Sequence, residues 1–127
     1  MAQPRNNMKP KLRPPFEFVI EALKEWDPNL LIRPMFGCHA LYSGERMLLI
    51  LRSKADHRDD NGIWIATQFE HHPSLKKEFP VLRDILMFDS SPTVWQNLPE
   101  NSDHFEEDAA RIIDLVISGD DRIGKIP

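Results

Sequence analysis

Several short stretches of the 127-residue chain carry residue types at spacings that can do chemistry. Gly119-Asp120-Asp121-Arg122-Ile123-Gly124-Lys125 fills the first seven positions of a phosphate-binding P-loop, whose backbone amides cradle phosphate while the lysine reaches the terminal groups. The eighth position, a Ser or Thr for magnesium, is Ile126, and Asp120 and Asp121 would repel phosphate. A helix precedes the stretch where a strand is needed. Nucleotide binding is therefore not expected, and the stretch reads as a helix stop followed by a tail. Glu70-His71-His72 and His104-x-x-Glu107 offer imidazole and carboxylate, ligands suited to zinc or iron. Adjacent side chains on a helix diverge by about 100°, so His71 and His72 do not easily share one ion. His72, ahead of Pro73, is better placed to open a helix, and no metal or cofactor is expected. Cys38 and His39 suggest a nucleophile and base, but neighbours on a strand point to opposite faces, which leaves Cys38 as a buried small residue. Arg33 is a candidate anchor for a ligand, or a partner for an acid of the last helix. Trp95 shares its strand face with Thr93 and Asn97 and is a candidate contact residue, since exposed tryptophans anchor interfaces.

The elements that must position these residues follow from periodicity. Phe16, Val19, Ile20, Leu23 and Trp26 recur at helical spacing, with Pro15 where a first-turn proline belongs and Asp27-Pro28 as the stop. Short strands are expected at 30–33, 38–42, 47–52 and 63–67, with 38–52 as a hairpin around Ser43-Gly44. The charged stretch 53–62 reads as a solvated loop. A short helix is expected over 72–79, strands at 82–88 and 93–98, and a last helix over 102–118 with Gly119 as its stop. Hairpins dominate, so the fold class is α+β: a two-layer antiparallel sheet with helices on one face. Met47 to Leu51 and Ile85 to Phe88 are apolar on both faces, so the second face of the sheet also needs a cover. A homodimer is the expected one, with the chain's own tails as the rival.

Composition sets bounds. Leu, Ile, Val and Phe account for 35 residues, enough for a packed core. The longest purely apolar run is five residues, far short of the ~18 that a membrane helix needs. The net charge is −4, and the first fifteen residues hold Arg5, Lys9, Lys11 and Arg13 with no acid. Residues 1–14 are expected to form a flexible basic arm. The acidic body argues against direct nucleic-acid binding. One cysteine excludes an internal disulfide and fits a reducing compartment, so a cytoplasmic location is expected.

Arg33-x-Met35-Phe36-Gly37, followed by Leu41-Tyr42 and Gly44, resembles the hairpin motif of the TfoX/Sxy family's N-terminal domain. Trp95-Gln96-x-Leu98-Pro99 and the acidic helix start Glu106-Glu107 resemble that domain's last strand and helix. Cys38 and Ala40 stand where the family carries glycine. The resemblance spans residues 16–118. It implies a single domain in the order helix, three strands, helix, two strands, helix, without the family's C-terminal helical domain. It also implies a regulatory role linked to DNA-uptake competence, exercised beside a transcription factor. It brings no catalytic set.

The expected organisation is thus an arm (1–14), a TfoX-like α+β domain (15–118) and an extended tail (119–127). The expected function is that of a non-enzymatic regulatory module acting through protein contacts, as a homodimer with an unknown protein partner. The alternative is a small-molecule- or metal-binding enzyme with its site near His71, His72 and Trp95. The expected contact residues are Arg33, Glu70, His71, His72 and Trp95, with no catalytic or metal-ligating residue.

Overall fold

The computed structural model describes residues 13–88 and 92–127; the expected arm up to residue 12, and residues 89–91 between the strands expected at 82–88 and 93–98, lie outside the described residues. Helix α1 runs Glu17–Trp26 and buries Val19, Ile20 and Leu23 of the expected stripe, while Trp26 at its end is 38% exposed. Pro15 is not in its first turn. Phe16 takes the N-cap position with φ 57°, and its ring lies 5.1 Å from that of Phe105. This contact ties the start of α1 to the start of the last helix. Asp27 ends α1, and its carboxylate accepts from the Asn29 amide and, at 2.6 Å, from the Ser43 hydroxyl, fastening the turn to the sheet.

Among the described residues six strands form one antiparallel sheet: β1 (Leu31–Met35), β2 (Cys38–Ser43), β3 (Arg46–Arg52), β4 (Gly62–Ile65), β5 (Arg83–Asp84) and β6 (Gln96–Pro99), in the spatial order β1-β2-β3-β4-β6-β5. Four strands therefore precede the second helix where the family resemblance implies three. The extra one is β4, whose Ile63-Trp64-Ile65 pairs directly with Leu51, Ile50 and Leu49. Helices α2 (His72–Glu78) and α3 (Phe105–Ile117) lie on the same side of the sheet as α1. Leu75 and Phe79 from α2, and Ala109, Ile112, Ile113 and Val116 from α3, share one core with Leu41, Leu49, Leu51, Ile63, Ile65 and Leu98. This is the expected α+β architecture with helices on one face. Gly119 (φ 77°) stops α3: its amide donates to the Val116 carbonyl and the Asp120 amide to that of Leu115, a closing turn that requires a left-handed residue. No helix of the described residues is long and apolar enough to cross a membrane.

Two segments depart from expectation. Only Arg83–Asp84 of 82–88 is strand, because the next amides leave the ladder. Leu86 and Met87 donate to the Asp60 carboxylate at 2.8 and 2.7 Å, while the Ile85 amide donates to the Thr93 hydroxyl. Ile85, Met87, Phe88 and Trp95 thereby pack on the second face of the sheet. The loop 53–62 is not uniformly solvated either. Arg52, 1% exposed, donates to the carbonyls of Asp56 and His57 and to Asn61 Oδ1, and Asn61 in turn holds the Lys54 backbone. Asp60 is also 1% exposed. The charges that read as a solvated face include a buried polar knot that spans the end of β3 and the start of β4.

Candidate functional site

Antiparallel register places Arg33, Ala40, Ile50, Trp64 and Asn97 in one row on the face away from the helices. Trp64 is fully buried there, its Nε1 donating to the Asp60 carbonyl at 2.8 Å. Phe88 meets the Trp64 ring edge-on at 6.0 Å and Trp95 meets it at 6.3 Å, geometries that aromatic quadrupoles favour. Cys38, Ala40, Met47, Ile50, Ala66 and Ile85 complete this second core. Met47 and Ile50 of β3 are thus packed on this face against Ile85, Met87, Phe88 and Trp95 of the same chain, and Lys125 of the tail bridges Met47.

The rim of this cover stays exposed and has a distinct chemistry. Phe36 is 54% exposed, Leu86 57% and Ile126 66%. Phe36 and Gly37 are the two central residues of the β1–β2 hairpin, and both have positive φ (54° and 73°), as a tight mirror-image turn demands. For a phenylalanine this conformation costs about 1–2 kcal/mol. The ring nevertheless stands out of the turn, 5.4 Å from Phe88. Further along the same face, Arg33 lies over the Tyr42 ring at 5.6 Å and Lys125 over the Trp95 ring at 5.7 Å. Neither cation is in an ion pair among the described residues. A shallow cavity of about 310 Å³ opens between Arg33, Tyr42, Glu45 and Ile126.

Of the five expected contact residues, Arg33 and Trp95 belong to this rim. Arg33 does not pair with an acid of α3, because α3 lies across the sheet. Glu70 is exposed and His71 half-buried in the 3₁₀ turn Phe69–His71 that leads into α2. His72 is buried, its ring against Phe69 at 5.2 Å and its Nε2 2.9 Å from the Val94 carbonyl oxygen. A carbonyl only accepts, so Nε2 carries the hydrogen and that edge of the ring is committed to holding α2 against the approach to β6. Trp95 packs on the opposite side of the sheet from α2, so the histidines and Trp95 do not converge on one site. Among the described residues no group of three or more His, Cys, Asp or Glu can hold a metal ion. His104 stands 2.9 Å from the Glu107 carboxylate on the surface, which raises its pKa, chiefly through that hydrogen bond.

All amides of the Gly119–Lys125 stretch except that of Asp121 are engaged. Arg122 and Ile123 donate to Asp120, Gly124 to the Ala66 carbonyl and Lys125 to that of Met47. No open cradle of N–H groups faces solvent as a P-loop requires. Arg122 instead ties the tail to α2, donating to Asp120, the Ser74 hydroxyl and Glu78 Oε1, each at 2.9 Å. The hydrogen bond from Arg122 holds the Asp120 carboxyl below the usual carboxylate range. Cys38 and His39 point to opposite faces as expected, and burial pushes the Cys38 thiol up despite the pull of Arg52 and Lys54.

Phe36, Tyr42, Phe88 and Lys125 were not among the expected contact residues. Phe36-Gly37 between two strands is itself a two-residue hairpin signal, and it places a large aromatic at a turn position that normally takes Asn, Asp or Gly. Lys125 carries no such local mark; only the pairing of the tail with Met47 brings it to Trp95. Comparison of the chain with protein-family models, with curated proteins and with solved structures gives no match.

Proposed function

We propose that this chain is a non-enzymatic protein-interaction module and that the exposed rim of the second sheet face is its contact surface. The observation that carries this is Phe36, an aromatic kept in a strained left-handed turn and more than half exposed. Strain of this kind, where Asn or Gly would be free of it, accompanies functional positions. Arg33, Tyr42 and Trp95 supply the residue types that dominate interface energetics. The uncompensated Arg33 and Lys125 favour a partner that presents carboxylates beside apolar side chains. From the hairpin tip to Tyr42 the surface runs about 17 Å at ~3.3 Å per residue, a length suited to a short helix or extended segment. The resemblance of 33–44 to the TfoX hairpin supports a regulatory setting of the competence type for such contacts.

A photo-crosslinking phenylalanine analogue at position 36 tests the proposal, with the same probe at the exposed Asp114 of α3 as control. The expected result is a discrete cross-linked protein from position 36 alone, lost in Arg33→Glu/Lys125→Glu. A cross-linked second copy of this chain would turn the same surface into a dimer interface. Equal or absent cross-linking at the two positions would overturn the proposal.

A further inference from the structure

The tail after α3 has a foothold on each face of the sheet. Ile123, 2% exposed, belongs to the core beneath the helices, and Arg122 beside it is tied to Ser74 and Glu78 of α2. Two residues on, Lys125 stands over the Trp95 ring on the second face, and Ile126 lines the rim cavity with Arg33 and Tyr42. Between the two footholds lies Gly124, with φ 104°, a backbone state that glycine enters freely and other residues rarely adopt. An added Cβ there would also come within 2.3 Å of Arg46 Nε. The Arg46 guanidinium is what donates to the Ile123 carbonyl at 2.8 Å. The turn at Gly124 delivers Lys125 to Met47, and the two residues exchange both backbone hydrogen bonds, at 2.8 and 2.9 Å. β4 pairs with β3 only from Leu49 to Arg52, so the tail fills the place beside Met47 that β4 leaves open. This pairing is what fixes the two rim residues. Ile126 is 66% exposed, and Lys125 is in no ion pair among the described residues.

We propose that the tail is a strap that completes the contact surface, with Gly124 as its positioning residue. The inference rests on the reading of the rim as a protein-contact surface. Lys125 supplies one of that surface's two uncompensated cations, and Ile126 part of its apolar area. With the strap down both are held in place before the partner arrives, so binding does not have to order them. With the strap released, both leave the surface, while Arg122 and Ile123 stay anchored on the other side of Gly124. Tail docking and partner binding are therefore linked equilibria: a bound partner holds the strap down, and release of the strap weakens the partner by the same factor. The chain that joins α2 to the rim through Arg122, Gly124 and Lys125 makes the strap a point at which the contact surface can be controlled from the helix side.

The test uses the full chain and reads the two ends of this linkage separately. Hydrogen exchange at the Met47 and Lys125 amides reports the strap, and affinity for the protein captured at position 36 reports the surface. Gly124→Ala should speed exchange at both amides about tenfold or more and weaken the partner about tenfold, with the global urea transition retained. A chain lacking residues 124–127 should show the same loss of affinity and fast exchange at Met47. Val19→Ala, which removes core volume under α1 and leaves the turn at Gly124 as it is, should lower global stability yet leave Lys125 exchange and affinity unchanged. Fast exchange with undiminished affinity in Gly124→Ala, or wild-type affinity in the shortened chain, would overturn the strap and leave the rim standing. Unchanged exchange in Gly124→Ala would overturn the role of Gly124. A wild-type chain that captures no partner at position 36 would overturn the rim reading, and the strap with it.

Discussion

Asp60→Ala should loosen the cover of the second sheet face more than any other single carboxylate change. Asp60 is buried, and its two oxygens accept the amides of Leu86 and Met87 at 2.8 and 2.7 Å. Its own carbonyl holds Trp64, but that bond survives side-chain truncation. Each amide left without its carboxylate costs about 1.5 kcal/mol, discounted because these amides are only partly buried, for a total of about 3 kcal/mol. In a domain of this size that corresponds to a thermal midpoint lowered by about 10 °C. Asp60→Asn keeps one acceptor and turns an amino group toward the other amide, for a loss of about 2 kcal/mol. The exposed neighbour Asp59→Asn should stay within about 0.5 kcal/mol of wild type. Urea unfolding gives the free energies, and tryptophan emission tracks the cover, since Trp64 and Trp95 lie beneath and beside it. If Asp60→Ala unfolded within 0.5 kcal/mol of wild type, Asp60 would not be what draws Leu86 and Met87 out of the sheet.

The tail contributes a pH-dependent increment. Arg122 holds the Asp120 pKa down, so the folded state binds this proton less readily than the unfolded chain. The resulting stability is present above the ordinary carboxylate range and is lost as pH falls through the lowered folded value. Acid titration of unfolding should therefore show a steeper loss in wild type than in Asp120→Asn, and parallel curves would refute the coupling. Arg122→Ala should cost about 2 kcal/mol at neutral pH, because it severs the tail from Ser74 and Glu78; a loss below ~0.5 kcal/mol would show that Ile123 and the backbone bonds to Ala66 and Met47 hold the tail without it. Calorimetry with ATP and magnesium should detect no binding, since the Gly119–Lys125 amides other than that of Asp121 are engaged; micromolar affinity that vanished in Lys125→Ala would contradict this.

The helical stripes of α1 and α3, the hairpin 38–52 and the Gly119 stop were legible because each is encoded within a few residues. Periodicity, a turn dipeptide or a glycine suffices to show them. The cover over the second face was not. Ile85-Leu86-Met87-Phe88 is apolar enough to read as a buried strand, and what diverts it is a carboxylate 26 residues earlier. The same limit hid the burial of Arg52, whose acceptors are backbone carbonyls and an asparagine that only the folded loop assembles. The expectation of a homodimer rested on reading 82–88 as a strand apolar on both faces, and only Arg83–Asp84 of it joins the sheet. Of the candidate contact residues, Arg33 and Trp95 both fall on the rim of the second face; Trp95 drew notice because Thr93 and Asn97 share its strand face, and Arg33 because a charge stands beside Met35 and Phe36. Glu70, His71 and His72 drew notice as a potential ligand set, yet His72 serves to hold α2, and its neighbours sit in the turn before it.

Phe36→Asn tests the central claim most directly. Asn-Gly is the preferred pair for this turn, so relief of backbone strain offsets the lost Phe36–Phe88 contact, and the unfolding free energy should stay within about 1 kcal/mol of wild type. Affinity for the protein cross-linked at position 36, measured by calorimetry on the same preparation, should fall at least about tenfold, the effect expected of an aromatic anchor. Unchanged affinity, or a loss no larger than the fall in stability explains, would contradict the assignment of this rim as the surface through which the protein acts.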